Sequence, residues 1–497
     1  MIDISNRKEC FFDHFLIDEQ RTTAETRLHK PTRRGVILET DRPWEGNLTT
    51  MFTVIFAEGK WRMYYVDQPN KHVAYAESDD AHNWVRPKLG IVEFQGSREN
   101  NLILNREMLK AFDFATFDNM SVFYDENPAC PPDEKYKMVC MWLGHGALLM
   151  LASSDGIHFT KSRMVTDDGE FDSQNRAFWS KEHNKYFCYF RGEHLPGPDV
   201  DWMDMSYTNK IARELYDPER RLLREPDDGV DAFMRDIRVI ESPDFIHWSK
   251  QHKIETTGAD FQLYNNCVFP YPGAPHILIG FPLRYAERKA WTKNYDELSS
   301  PEDRLNRMQT QQARVGLAIS DGLFMCSRDG HSFTKYDEAL IPPPPENPDA
   351  FVYGDGTAVP VLIEVPSPIP GAENEYMIIV RESFRSPTGC AKLVKYTIRQ
   401  DGFVSQHAGG QPVDMFTKEF IYQGEALYAN IATSARGYAY FTIQCGDEAY
   451  TSCEIFGNSI RKRIHFEDDE VIRKFSGKPV TLSVRMFDCD LYAIQFQ

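Results

Sequence analysis

Five short apolar runs of strand length recur along the first four hundred residues: Lys60-Trp-Arg-Met-Tyr-Tyr65, Lys135-Tyr-Lys-Met-Val-Cys140, Lys185-Tyr-Phe-Cys-Tyr-Phe190, His276-Ile-Leu-Ile-Gly-Phe281 and Glu375-Tyr-Met-Ile-Ile-Val380. They are rich in aromatic and β-branched residues, bounded by turn formers, and predict strands. Each is followed by a phrase of the form Ser-x-Asp, three residues, then Trp or Phe. It reads Ser78-Asp-Asp-Ala-His-Asn-Trp84, Ser153-Ser-Asp-Gly-Ile-His-Phe159, Ser242-Pro-Asp-Phe-Ile-His-Trp248 and Ser327-Arg-Asp-Gly-His-Ser-Phe333, with a degenerate fifth copy at Gln400-Asp-Gly-Phe403. The Ser and Asp side chains are suited to cap a tight turn while the aromatic drops into the core. His82, His158 and His247 repeat with the phrase and are read as part of it.

From strand anchor to phrase aromatic the chain runs about 23 residues in units one and two, about 27 in unit five, and about 62 and 57 in units three and four. The excess marks two insertions, near 193–233 and 285–314. There the strand pattern yields to polar, helix-prone sequence such as Asn209-Lys-Ile-Ala-Arg-Glu-Leu-Tyr216 and Asp303-Arg-Leu-Asn-Arg-Met-Gln309. Another short segment precedes each anchor strand, at 45–55, 117–124, 171–179, 264–269 and 355–363. Five such units predict an all-β chain whose residues 1–404 form a five-bladed β-propeller. A β-sandwich or several small β domains is the alternative, and the even spacing outside the insertions favours the propeller. Pro342-Pro-Pro-Pro-Glu346 reads as a connector between units four and five. After residue 405 the phrase stops, and apolar runs at 416–422, 427–432, 438–444, 463–466, 480–487 and 491–496 predict a C-terminal β-sandwich over 405–497.

Composition narrows the partners. In 497 residues, 33 Phe, 23 Tyr and 8 Trp suit strand cores and stacking surfaces. A formal charge of −18 repels phosphate backbones and anionic head groups, so neither nucleic acid nor a membrane surface is an expected partner. No apolar run reaches the length of a membrane span. The opening Met1-Ile-Asp-Ile-Ser-Asn-Arg-Lys8 has no signal-peptide core, and ten cysteines are scattered singly from Cys10 to Cys489 without a CxxC pair. Reduced thiols and a cytoplasmic location are the expectation. HExxH, Walker, GxGxxG and GxSxG phrases are absent, and no cofactor or metal ion is expected. A homo-oligomer is compatible with the sequence.

Propeller blades converge their first strands on one axial pocket, so polar residues on those strands are the site candidates. Unit one offers Trp44, Glu45 and Asn47; unit two, Asp118; unit three, Asp172, Gln174 and Asn175; unit four, Asn265. The end of the second strand of unit five adds Arg381 and Glu382, and the return from the first insertion adds Arg235, Asp236 and Arg238. Carboxylates to supply acid, base or nucleophile, amides and arginines for hydroxyls, and a Trp face for a ring are what a sugar site needs. An Asp beside a tight turn is usually a cap, which weighs most against Asp118 and Asp355. Glu45, Asp172, Asp236 and Glu382 lie in or beside apolar strands, where an unpaired carboxylate is costly.

Several phrases carry a resemblance: Asp41-Arg-Pro-Trp-Glu-Gly-Asn47, Ala76-Glu-Ser-Asp-Asp80, Phe171-Asp-Ser-Gln-Asn175, Arg235-Asp-Ile-Arg238, Phe324-Met-Cys-Ser-Arg-Asp-Gly330, and the ending Gly477-Lys-Pro-Val480 with Asp490-Leu-Tyr-Ala-Ile-Gln-Phe496. The chain resembles the five-bladed propeller glycosidases related to the invertase/levanase and arabinanase/xylosidase families, and among them a bacterial family 32-like branch. That resemblance implies three acids in the axial pocket and, through Arg235-Asp236, a transition-state-stabilising role for Asp236. The first-blade Asp of those relatives is missing, with Glu45 the nearest positional substitute. Their Glu-Cys phrase is also missing, Glu454 following Cys453 in the sandwich instead, and Glu382 takes the acid's place. The expected function is a glycoside hydrolase acting on a small carbohydrate, with Asp172 and Glu382 as the first acid/base pair and Glu45 and Asp236 next. A glycoside phosphorylase using Arg191, Arg235, Arg238 and Arg381 for phosphate, and a non-catalytic carbohydrate-binding propeller, are the alternatives.

Overall fold

A computed structural model describes the chain except residues 68–71, 111–116, 143–145, 199, 202–203, 208–215, 218–221, 224–231, 289–290, 311–312 and 388. Half the residues lie in strands. Five sheets follow in chain order around one axis, antiparallel except where Glu255–Thr256 pairs in parallel with the outer strand of the fourth. Blade one is Thr50–Ala57, Lys60–Val66, His72–Ser78 and Leu102–Asn105; blade two is Phe117–Tyr124, Tyr136–Trp142, Ala147–Ser153 and Lys161–Thr166. Blade three is built on Arg176–Ser180, Lys185–His194 and Ala232–Ser242, and blade four on Phe269–Pro270, Leu278–Gly280, Ala318–Ser327 and Ser332–Ile341. In blade five, Thr357–Ala358, Glu375–Glu382 and Lys392–Arg399 come from the expected unit, but the outer strand is Thr32–Glu39, from near the N-terminus. Fold class is therefore all-β: a five-bladed propeller followed by a sandwich.

The repeated phrase does the same job four times. In each copy the Asp Oδ1 accepts two successive backbone N–H groups, from His82 and Asn83 for Asp80, Ile157 and His158 for Asp155, Ile246 and His247 for Asp244, and His331 and Ser332 for Asp329. The Ser hydroxyl bonds the same carboxylate, and Phe159 and Phe333 are buried beside it. His158 and His247 bond their own phrase aspartates, which makes them part of the turn. The fifth Asp differs: Asp401 is fully buried and takes Lys8 at 2.9 Å and Tyr271 at 2.6 Å.

The sandwich rests on two long strands, Leu427–Cys445 and Thr481–Phe496, each of which the sequence pattern divides in two. Their pairing breaks between Thr433 and Tyr438. On one side of the break the sheet continues through Asn458–Ile464 and Val404–Ala408 to Glu25–Leu28, and on the other through Glu448–Thr451 and Val413–Phe416. The two halves enclose a core that includes Leu427, Phe441, Ile443, Val484, Leu491 and Phe496. N-terminal strands Ile2–Ser5, Glu9–Cys10 and Glu25–Leu28 thus pair with the C-terminal sheets rather than with a blade.

The second insertion contains the helices Lys293–Glu297, Pro301–Thr310 and Ala313–Leu317. The helix-prone stretch of the first insertion, 209–216, lies almost wholly outside the described residues.

Candidate functional site

A cavity of about 210 Å³ opens where the blades converge. All five contribute to its wall: Leu48, Thr50 and Met51 from blade one, Asp118 and Asn119 from blade two, Asp172 from the approach to blade three, Tyr264 and Asn265 from blade four, and Tyr353, Gly354 and Arg381 from blade five. Such a lining places it on the ring axis. A larger hollow of about 260 Å³ sits on the outer edge of blade five beside Arg34 and Lys395 and has no carboxylate in its lining, so the axial cavity is the better site.

The backbone around it is bent out of ordinary strand geometry. Met51, Asn119 and Cys267, on or beside the inner strands of blades one, two and four, have φ of 55°, 53° and 47°, and Phe171 and Arg385 have 47° and 63°. Non-glycine residues in this region cost on the order of 1–3 kcal/mol each and concentrate where a site over-determines the chain. At Met51 the cause is visible, since the pairing of blade one shifts register between Thr50 and Thr53.

Asp172 is the best-presented acid. Its side chain is 56% exposed. Arg191 Nη1 donates to Oδ2 at 2.8 Å and Asn119 Nδ2 to Oδ1 at 3.2 Å, so the carboxylate is held in one orientation while open to the cavity. The same guanidinium donates through Nη2 to Glu193 Oε1 at 3.0 Å. Arg191 and Glu193 are two apart on Lys185–His194 and share a face, so one arginine bridges two carboxylates beside the cavity. Burial lifts the Glu193 carboxyl above its ordinary range against the pull of Arg191. The sequence pattern places Glu193 at the start of an insertion. The clue to it was the continued alternation Phe187, Tyr189, Arg191, Glu193 beyond the apolar run.

Of the sequence candidates, Asp118, Asp172, Asn265 and Arg381 line the cavity. Gln174 and Asn175 lie just beneath it and tie blades together. Gln174 Nε2 donates to Phe52 O at 3.1 Å, and Asn175 Nδ2 donates to Asn119 O at 2.9 Å and Phe171 O at 3.1 Å. Asn47 braces the wall, donating to Ser386 O at 2.7 Å and accepting the Arg385 N–H at 2.8 Å.

The remaining candidates lie elsewhere. Glu382 follows Arg381 by one residue, so the pleat turns it to the opposite face. There it is gripped by Arg33 Nε at 3.0 Å and Nη2 at 2.9 Å, and by Tyr396 Oη at 2.6 Å. Glu45 is sealed in blade one by Tyr65 at 2.5 Å and Arg86 at 3.0 Å, and burial raises its carboxyl. Trp44 packs edge-on against Phe94 within the cluster between blades one and five, away from the axial lining. Asp236 pairs with Arg238 at 2.6 Å and with His194 Nδ1 at 3.0 Å, while His194 Nε2 meets Asp260 at 2.9 Å. Burial opposes ionisation of Asp236, but His194 and Arg238 outweigh it and hold its carboxyl below the usual range. A Cβ on Gly192 would come within 2.4 Å of Arg238, so only glycine leaves room for that pair. Arg235 reaches Ser206 Oγ at 2.5 Å and Gln262 Oε1 at 2.7 Å in a buried network that also holds Glu287.

The second insertion braces the same wall. From helix Pro301–Thr310, Arg304 donates to Phe351 O at 2.5 Å and Ala350 O at 2.8 Å, and Arg307 donates to Arg385 O. These carbonyls belong to the two loops that carry Tyr353 and Arg385.

No protein-family model and no curated protein sequence matches the chain. Among solved structures it is similar to an N-acetylgalactosamine deacetylase from F. plautii in complex with blood group B trisaccharide, at 10% identity and a TM-score of 0.44, covering 75% of this chain and 95% of that one. A thermostable family-43 glycoside hydrolase matches at 12% identity and 0.41, covering 74% and 95%. A fructofuranosidase from Schwanniomyces occidentalis matches at 8% identity and 0.40, covering 95% and 99%. Among the described residues, no group of three or more His, Cys, Asp or Glu side chains is arranged to hold a metal ion, and no helix is long and apolar enough to cross a membrane.

Proposed function

We propose that the protein is a glycosidase cleaving small glycosides in the axial cavity. The observation that carries this reading is the pair of carboxylates on Arg191: Asp172, oriented and exposed to the cavity, and Glu193, half-buried with its carboxyl lifted by burial. Glycoside cleavage needs one carboxylate as base or nucleophile and a second carboxyl group as acid. Asp172 takes the first role and Glu193 the second, with Asn119 and Arg191 as the groups that orient them. Tyr264, Asn265 and Asp118 supply ring contact and hydroxyl recognition in the lining. The cavity, of single-sugar size, favours terminal residues or short oligosaccharides. All ten cysteines are free thiols, which fits work in a reducing compartment.

The test is turnover of a broad panel of aryl glycosides and oligosaccharides by the wild type and by Asp172→Asn. Release of sugar by the wild type and a loss of about a thousandfold in the variant, with unchanged folding, is the expected result. If no glycoside is cleaved while sugars still bind, the protein is a carbohydrate-binding propeller and the reading falls.

A further inference from the structure

We propose that the axial cavity is built for a sugar that arrives with an oxyanion, a carboxylate or a phosphate, and that Arg381 is the residue that receives it. The inference rests on reading this cavity as the glycoside site and names its substrate class.

Arg381 is the penultimate residue of strand Glu375–Glu382 in blade five, lines the cavity and is only 6% exposed. Its hydrogen-bond partners are all neutral: Thr50 Oγ1, Gly354 O at 2.7 Å and Thr357 Oγ1 at 3.1 Å. The Nε–H is buried without a partner, and the guanidinium lies over the Phe384 ring at 3.8 Å. Five donors in a fixed fork are therefore only partly used. A guanidinium taken out of water without a counter-charge is costly, and a protein that keeps one in a cavity wall has a use for it.

Neither acid beside it hydrogen-bonds or ion-pairs with it. Glu382 faces the other side of the strand and is occupied by Arg33 and Tyr396. Asp355 is 2% exposed, accepts the Phe384 N–H at 2.8 Å through Oδ1, and leaves Oδ2 buried and unpartnered. Burial pushes its carboxyl up to about 8 against the pull of Arg381, and burial brings Arg381 down to about 10 against the pull of Asp355. Arg191, across the cavity, shows the contrast, its charge being matched by Asp172 and Glu193. The cavity is thus polarised, with the reacting carboxylate on the blade-three side and an unmatched cation on the blade-five side. A neutral sugar needs only the first.

Gly354 makes the arrangement possible. Its φ is +92°, and a Cβ there would come within 2.5 Å of Phe384 and 3.3 Å of Arg381 Nη2. Only a glycine lets its carbonyl close on the guanidinium while the ring beneath stays in place.

Calorimetry on the full chain tests this without requiring turnover. D-glucuronate and D-galacturonate should bind at least thirtyfold tighter than D-glucose and D-galactose. In Arg381→Met the preference should fall below threefold. Should that variant fail to fold, the same preference in the wild type should shrink with added NaCl, and inorganic phosphate should displace the uronate. Equal binding of acidic and neutral sugars with no binding of inorganic phosphate, or a preference that survives in a folded Arg381→Met, overturns the inference. The anion's source is read separately. If inorganic phosphate alone binds through Arg381 and the uronates do not, the oxyanion is free phosphate, and cleavage of neutral glycosides should then depend on it. Cleavage of neutral glycosides without phosphate and without any anion preference would overturn this inference and leave the glycosidase standing. Tight uronate binding with no turnover of any uronide would support the inference and remove the glycosidase.

Discussion

Asp172 and Glu382 carry the same functional group at the inner ends of blades three and five, and both sit beside apolar strands. One is held by Arg191 and Asn119 with its oxygens open to the cavity; the other is closed off by Arg33 and Tyr396. The difference comes down to strand parity. On Glu375–Glu382 the side chain that turns inward is Arg381, so blade five gives the site a cation where its acid was expected. Carboxylate chemistry is thereby concentrated on the blade-three side, and the acid of blade five becomes a structural tie.

The largest expected effect breaks that comparison directly. Asp172→Asn should cost about a thousandfold in kcat/KM with little change in unfolding midpoint, whereas Glu382→Gln should keep turnover within a few-fold and lose about 1–3 kcal/mol in urea unfolding. Swapped outcomes would place Glu382, and not Asp172, at the reacting bond. Next in size is Glu193→Gln, expected to lower kcat by roughly 10²-fold on substrates with poor leaving groups and much less on activated aryl glycosides. Because burial raises the Glu193 carboxyl, the wild-type rate should fall on the alkaline side above the ordinary carboxylate range, and that limb should vanish in the variant. A limb that persists unchanged assigns the proton donor to another group.

Asp355→Asn probes the neighbour of Arg381. The folded state holds this proton up to about pH 8, while an unfolded Asp loses it near pH 4. The contribution is therefore fully present below pH 4 and falls as pH climbs toward 8. The asparagine variant, lacking this term, should gain on the wild type by roughly 5 kcal/mol across that window in denaturation curves taken at several pH values. Parallel curves would show that Asp355 is ionised and neutralises Arg381 itself. Smallest are the turn aspartates. Backbone N–H groups hold Asp80 and Asp244 well below the usual carboxylate range, and at Asp155 they outweigh burial to the same effect. Their stabilisation is present above pH 4 and is lost as pH falls through the folded values. Asp155→Ala should cost about 1 kcal/mol at pH 7 and less at pH 2, as read from unfolding midpoints.

Much of the ring was legible because the turn phrase is a local device: Ser, Asp and the aromatic act within seven residues, so each copy announces itself. The closing strand Thr32–Glu39 was not, since its exposed edge carries arginines and lacks alternation, and only its partner 392–399 makes it a strand. In the site, residues on the inner strands, Asp118, Asp172 and Asn265, were readable from their position in the repeat. Glu382 and Glu45 misled because the rule that buried acids need partners says nothing about whether the partner is a substrate or a tyrosine. Glu193 and Arg385 lie where strand and loop run past the repeat, and Arg385 enters the wall through a left-handed backbone that no sequence pattern marks.

Blade five, closed by a strand from the other end of the chain and pinned by Arg33 to Glu382, also sets a timetable for synthesis. Strand Thr32–Glu39 leaves the ribosome roughly 350 residues before its partner, a wait of about 20–70 s at typical elongation rates. Blades one to four can form in order as they emerge, but the ring stays open until residue 399 is free. During that interval Thr32–Glu39 has no partner for either edge, so the nascent chain carries a strand open to mispairing until residue 399 is free.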